Sequence, residues 1–267
     1  MATPTAQVKA VLFDMDGLLI DSEGVYTQVV NDVLRPYGKE QTWEIKAHLM
    51  GMPERNAVKT LFQHLWPPRP NTDEVWSPEC PFDIDSFLQA RNKTLDDAFS
   101  KVKPMPGAER LVRHLAAHGV PICIATGSKQ RNYKIKSSAN PSLFAPFEGR
   151  VICGDDPRLT RGKPTPDVFL LAAREGLKND GWKDRVREPG PQADGSLKGG
   201  ERDILVFEDA KPGVQAGLAA GMNVVWVPDP NLKALYSGND LGAHQTLDSL
   251  LDFKPEEWGL PPFPLAN

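Results

Sequence analysis

The chain has 267 residues, 40% of them apolar and 25% charged, with a formal net charge of −4. At roughly 150 residues per domain this is one large domain or two modest ones, with an ordinary globular composition able to bury a core. The mild acidic balance excludes the basic footprint of a nucleic-acid binder and the basic stripe of a membrane-surface helix.

The first apolar run is Val8, Ala10, Val11, Leu12 and Phe13, and it stops abruptly at Asp14-Met15-Asp16-Gly17. A short apolar run closed by acids and Gly reads as a buried parallel strand with functional groups at its C-terminal end. Residues 22–100 then change rhythm. Val25, Val29, Val33 and Leu34 have helical spacing. So do Ala57, Val58, Leu61, Phe62 and Leu65 after Pro53 as a first helical residue, and Ile84, Phe87, Leu88, Leu95 and Phe99. No strand-like run interrupts them, so this stretch is an all-helical insert, with a proline-rich link at 66–81 and a return joint near 103–107.

Further along, Ala108, Leu111, Val112 and Leu115 share one helical face. A strand run at 120–125 stops at Thr126-Gly127-Ser128, and one at 151–153 stops at Gly154-Asp155-Asp156. Thr165-Pro166-Asp167 gives an N-cap, a Pro at N1 and an acid in the first turn of a helix through Val168, Phe169 and Ala172. Residues 179–202 are polar, with only Trp182, Val186 and Leu197 as sizeable apolars, and read as a mobile surface loop. A run at 204–207 stops at Glu208-Asp209; a Gly/Ala-rich helix at 213–220 ends at Gly221 as C′; a run at 224–227 stops at Pro228-Asp229. The alternation gives a doubly wound, Rossmann-like α/β core with a parallel sheet, spanning 1–21 and 101–267, with the helical insert at 22–100. Ligands then gather at the C-terminal ends of the strands.

No apolar run approaches the ~20 residues of a membrane helix, and residues 1–9 lack a signal-like apolar stretch. Cys80, Cys123 and Cys153 have no CxxC spacing, which argues against a disulfide framework and for a reducing, cytoplasmic setting. Cys123 and Cys153 read as buried strand residues. The histidines show no HExxH or HxH spacing, so no zinc site is expected.

Asp14 and Asp16 stand one residue apart at a strand end, where two carboxylates do not readily ionise together without a nearby cation. Taken alone, such a pair is also common in solvated turns. Glu208-Asp209 follows another strand in the same way, and adjacent strands would bring these carboxyl groups around one crevice. Hard oxygen donors in that number suit Mg²⁺. Thr126 and Gly127, at a strand end before a helix, offer a hydroxyl and free N–H groups as a phosphate cradle, though Thr caps are frequent. Lys163 in Gly162-Lys163-Pro164 is either a surface charge or a partner for a phosphoryl oxygen.

The order of these motifs, DxDG, Thr-Gly, Lys-Pro and Glu-Asp, resembles the four-motif signature of the haloacid dehalogenase-like hydrolases. The resemblance runs through residues 11–23, 105–108, 125–128, 154–157, 162–164, 206–210 and 219–222, and the tail at 253–256 is similar to the pseudouridine-5′-phosphatase branch. It implies a magnesium-dependent phosphatase. Asp14 would be the nucleophile and Asp16 the acid and base. Mg²⁺ would be held by Asp14, the Asp16 backbone carbonyl and Asp209, with Glu208 direct or through water. Thr126, N–H groups near Gly127, and Lys163 would hold the phosphoryl oxygens, and the helical insert would be a cap over them. In the cap loop, Met50-Gly51-Met52-Pro53-Glu54-Arg55, Met52 stands where relatives often have a basic residue, so Arg55 would supply that charge. Gly51, Arg55 and Glu23 are therefore the substrate-contact candidates. Asp155 and Asp156 are expected to shape a turn.

The expected substrate is a small phosphorylated metabolite: pseudouridine 5′-monophosphate on resemblance, with glycerol phosphate and hexose phosphates as competitors. A sugar phosphomutase of the same fold is the alternative. A non-catalytic, receiver-like phosphate-binding module is a remote one, since receivers are about half this length and lack the insert. No nucleic-acid or membrane partner is expected, and the chain is expected to be a monomer.

Overall fold

The computed structural model of the chain describes residues 7–50, 52, 54–177, 181–190, 196–236 and 238–264. Gly51, Pro53 and parts of the 179–202 segment lie outside the described residues. The strands are β1 (Ala10–Phe13), β2 (Ile122–Ala125), β3 (Val151–Ile152), β4 (Ile204–Glu208), β5 (Asn223–Trp226) and β6 (Gln245–Thr246). They form one sheet in the order β3-β2-β1-β4-β5-β6, with every neighbouring pair parallel. From β1 the chain winds first toward β2 and β3, then returns to place β4 on β1's other side. That reversal is the switch point at which open α/β sheets bind ligands.

Side-chain alternation explains the continuous apolar runs. Val11, Phe13, Ile122, Ile124, Leu205 and Phe207 enter the cluster on one face, while Ala10, Leu12, Cys123, Ala125, Ile204 and Val206 enter that on the other. Both faces are covered, so each strand is apolar at successive positions. The covering helices include α5 (Ala108–Ala117), α6 (Gln130–Ser138), α7 (Pro141–Phe144), α8 (Asp167–Leu171), α9 (Trp182–Arg185), α10 (Lys211–Ala219) and α11 (Pro230–Leu235), numbered after the four helices of the insert.

Those four are α1 (Ser22–Leu34), α2 (Trp43–Leu49), α3 (Glu54–Leu65) and α4 (Ile84–Phe99). Side-chain oxygens start three of them: Asp21 accepts from the Gly24 N–H, Thr42 from Ile45, and Asp83 from Ser86 in a reciprocal capping box. Their inner faces close a separate apolar cluster around Phe62, with Val30, Leu34, Val58, Leu61 and Phe87. The two chain passages between sheet and insert run side by side. The Asp21 N–H donates to the Lys103 carbonyl at 2.9 Å, and the Met105 N–H to the Leu19 carbonyl at 2.9 Å.

The structure corrects three local expectations. The 179–202 stretch is not wholly a surface loop: Trp182 and Val186 are buried in the core on either side of α9, and Glu201 is buried, accepting from the backbone N–H groups of Arg187 and Gly199. Two apolar residues four apart are enough to seat one helical turn among polar neighbours. Helix α8 begins at Asp167, with Pro166 before it, because Thr165 turns its hydroxyl back to the Gly162 carbonyl and Asp167 pairs with Arg161. The sheet also gains β6, whose Gln-Thr pair carries no apolar signal.

Candidate active site

Three adjacent strands, β2, β1 and β4, end at one cleft. β1 delivers Asp14, whose N–H donates to the Phe207 carbonyl at 3.0 Å. β4 delivers Glu208 and then Asp209, and β2 delivers Thr126. Each of these four side chains is at most 6% exposed. Close approach is bought with missing side chains: a Cβ on Gly17, which has φ +83°, would strike the Asp209 carboxylate, and one on Gly213 would strike that of Glu208.

Asp14, Glu208 and Asp209 each offer an oxygen, and these lie within 4.8 Å of one another. The Lys163 ammonium sits among them, 2.5 Å from Asp14 Oδ1, 2.6 Å from Glu208 Oε1 and 3.1 Å from the Ala125 carbonyl. Three carboxylates thus share one ammonium. Burial pushes the Asp14 carboxyl up to about 7, with Lys163 opposing and Glu208 and Asp16 adding to the rise. Burial also drives Asp209 well above the ordinary range, reinforced by Glu208 and Asp14. For Lys163, burial alone would lower the pKa, but Asp14 and Glu208 outweigh it and hold the ammonium charged. Among the described residues no donor reaches the Asp209 carboxylate. A buried acid without a partner beside two more acids is an environment made for a cation.

Asp16 is held differently. Its Oδ1 accepts from Lys136 Nζ at 2.5 Å and Ser22 Oγ at 2.5 Å; its Oδ2 accepts from Ser128 Oγ at 2.6 Å and Thr126 Oγ1 at 3.3 Å. Burial alone would raise its pKa, yet Lys136, Ser128 and Ser22 together bring it below the usual value. Thr126 also accepts from the Ser128 N–H at 3.0 Å, so its hydroxyl lies under the cleft floor, where Gly127 and Ser128 form the surface.

The cleft has a volume of about 840 Å³ and extends from these acids to the helical insert. Glu23 lines it and pairs with Lys46 at 3.1 Å; Glu54 pairs with Arg91 at 2.5 Å on the same side. Arg55 corrects the sequence reading. It is exposed, bonded to Asp85, and does not line the cleft. At the start of α3 the side chain that turns inward is Glu54, one residue earlier. Gly51 is outside the described residues. Asp156 accepts the Arg158 N–H at 3.0 Å and shapes a turn, as expected, whereas Asp155 accepts the Gln130 N–H at 2.8 Å and so caps the start of α6. Lys136 and Arg91 had no sequence signal: each shares a mixed helix with other basic residues and is distinguished only by what the fold brings to it. No described helix is long and apolar enough to cross a membrane.

Residues 8–221 match the haloacid dehalogenase-like hydrolase family. The (DL)-glycerol-3-phosphatase 2 of Arabidopsis thaliana is 42% identical over 257 residues, covering 96% of this chain and 93% of that protein. A probable pseudouridine-5′-phosphatase of Drosophila melanogaster is 36% identical over 258 residues, covering 96% of this chain and 96% of that protein. The crystal structure of a haloacid dehalogenase family hydrolase from Deinococcus radiodurans R1, with bound phosphate and sodium, aligns with TM-score 0.67 at 26% identity, covering 97% of this chain and 100% of that one. With acids from two adjacent strand ends gathered in one cleft and likeness to phosphatases along its length, the chain belongs to the haloacid dehalogenase-like hydrolases and is a phosphatase.

Proposed function

We propose that the chain is a magnesium-dependent phosphomonoesterase acting through an aspartyl-phosphate intermediate on a small phosphorylated metabolite. The observation that carries this reading is the meeting of Asp14, Glu208 and Asp209 within 4.8 Å, beside Lys163. An all-oxygen donor set suits Mg²⁺ rather than softer metals. Asp14, Asp209 and the Asp16 backbone carbonyl would hold the ion, with Glu208 direct or through water. Bound there, it supplies positive charge that neutralises phosphoryl oxygens and favours the ionised form of Asp14.

In this reading an Asp14 oxygen bonds to phosphorus as the bond from phosphorus to the leaving oxygen breaks. Asp16, which its donors favour as a carboxylate, has first to take up a proton; it then gives that proton to the leaving oxygen and later takes one from the incoming water. Water's oxygen bonds to phosphorus, the Asp14–phosphorus bond breaks, and phosphate leaves. Lys163 neutralises charge on the phosphoryl group. The backbone of the cleft floor at Gly127 and Ser128 orients it, while Thr126, expected there from sequence, is bonded to Asp16 and Ser128 beneath that floor. The insert, residues 22–100, acts as a cap that excludes bulk water from the core of 1–21 and 101–267.

Charge in the cap supports an uncharged leaving group. Lys46 is matched by Glu23 and Arg91 by Glu54, so the cap side has no spare described cation for a second phosphate. A mutase acting through a bisphosphate would have to seat that phosphate against Lys129, which lines the cleft from the core side. Val30, Val58, Leu61 and Phe87 add an apolar wall on which a flat base can lie, favouring a nucleoside monophosphate such as pseudouridine 5′-monophosphate. Glycerol 3-phosphate is the smaller competitor and leaves that wall uncovered. One chain supplies the whole cleft, which supports a monomer; scarce cysteine supports a cytoplasmic setting.

The test is a panel of phosphorylated metabolites scored by released phosphate, with and without chelator. Mg²⁺-restorable hydrolysis, led by pseudouridine 5′-monophosphate and absent in Asp14→Asn, is expected. Chelator-resistant turnover, or isomer formation that depends on a bisphosphate, would contradict the reading.

A further inference from the structure

The Lys136 ammonium occupies an unusual place. It is 0% exposed, on the inward face of α6, in a helix whose other residues are mostly exposed or half-buried. Its hydrogen bonds go to Asp16 Oδ1 at 2.5 Å and Ser128 Oγ at 3.1 Å. Its remaining surroundings are aromatic: the Phe99 ring at 4.2 Å and the Tyr26 ring at 5.3 Å. Phe99 closes α4 and Tyr26 lies on α1, and the two rings meet edge to face at 4.9 Å. A buried cation is retained only when paired, and among the described residues the only carboxylate bonded to it is Asp16. Ring faces attract the ammonium from the cap side without giving up a proton or accepting one.

We propose that Lys136 is a positioning residue that fixes the Asp16 carboxylate for proton transfer and ties its placement to the cap helices α1 and α4. The proposal rests on the assignment of Asp16 as acid and base. With Lys136 and Ser22 on one carboxylate oxygen and Ser128 and Thr126 on the other, the group is restrained against rotation about its last bond. Three of these donors are neutral hydroxyls. Lys136 is the charged one, and charge-assisted bonds are the stronger. Lys163 serves Asp14 and Glu208 instead, so the two lysines divide the paired aspartates between them.

A double-mutant cycle tests this: wild type, Lys136→Met, Asp16→Asn and the double variant, assayed with an alkyl phosphate at saturating Mg²⁺. Trapped aspartyl-phosphate is measured alongside turnover. Lys136→Met is expected to lower kcat about 100-fold with KM changed less than about threefold, the scale of a misplaced acid–base group. With an aryl phosphate, whose leaving group departs without a proton, only the attack of water needs Asp16, so there the variant should accumulate more aspartyl-phosphate than wild type. In the Asp16→Asn background the same change should alter the residual rate less than about twofold, and Lys136→Arg should recover part of kcat. The double variant carries no unpaired buried carboxylate, so the comparison with Asp16→Asn stands even if Lys136→Met alone folds poorly. Losses that multiply across the cycle, or a Lys136→Met enzyme with wild-type kcat, would overturn the proposal and leave the phosphatase reading intact. Full activity in Asp16→Asn would remove the acid–base assignment and the Lys136 proposal with it.

Discussion

Asp14→Asn should abolish turnover and, in the absence of metal, make the protein more stable. Asp14 is buried among like charges, and its carboxyl rises from 3.8 to about 7. A shift of that size corresponds to about 4 kcal/mol of destabilisation when the group is ionised in the folded state. Because the folded-state value is the higher one, the penalty is absent below pH 3.8, grows as pH rises, and is complete above about pH 7. Asn keeps an oxygen for Lys163, which retains its Glu208 partner at 2.6 Å, so no buried ammonium is orphaned. Denaturant unfolding in chelator, followed by circular dichroism, should show Asp14→Asn more stable by up to about 4 kcal/mol at pH 8 and by less than half of that at pH 5. Saturating Mg²⁺ should then narrow the gap by stabilising the wild type more than the variant. A variant no more stable than wild type at pH 8, or a gain independent of pH, would refute the claim that Asp14, the proposed nucleophile, is held at the expense of stability.

Three further outcomes follow from the same geometry. Asp209→Asn should raise the Mg²⁺ concentration for half-maximal activity about tenfold or more without lowering metal-free stability, because that carboxylate accepts no hydrogen bond among the described residues; titration of activity and thermal melts check both halves. Trp182→Ala should cost about 3–5 kcal/mol, or roughly 6–20 °C in Tm, since its ring is 2% exposed; a loss under about 0.5 kcal/mol would mean that this segment is surface after all. Arg91→Ala should raise KM about tenfold while Arg55→Ala leaves kcat/KM within about twofold, because only the first faces the cleft; steady-state kinetics on the best substrate of the panel decide it.

Much of the core was legible because its strands are buried on both faces. Runs such as 10–13 and 204–207 are apolar at every position, and each stops where polar chemistry starts. The helical rhythm of 22–100 was equally plain, since one face of each helix must close its own apolar cluster. Less legible were features set by tertiary placement. Nothing in the segment around Lys134 and Lys136 tells which lysine is drawn under Phe99 and Tyr26. Arg55 and Glu54 are neighbours in sequence, but a helix turns adjacent residues about 100° apart, and only the packing of α3 on α4 decides which faces the cleft. The Gln245–Thr246 strand is recognised by its hydrogen bonds to β5, not by its composition.

The paired passages at Asp21–Lys103 and Leu19–Met105 carry a mechanical consequence. Two strands bonded side by side resist sliding and tearing, and they yield most easily to rotation about the line they share. The helical body is therefore hung like a door with one swing rather than tethered like a ball on a string. Atoms near that hinge line travel least, which keeps the Ser22 hydroxyl beside Asp16 from one turnover to the next, while those far from it open the widest gap for a departing alcohol.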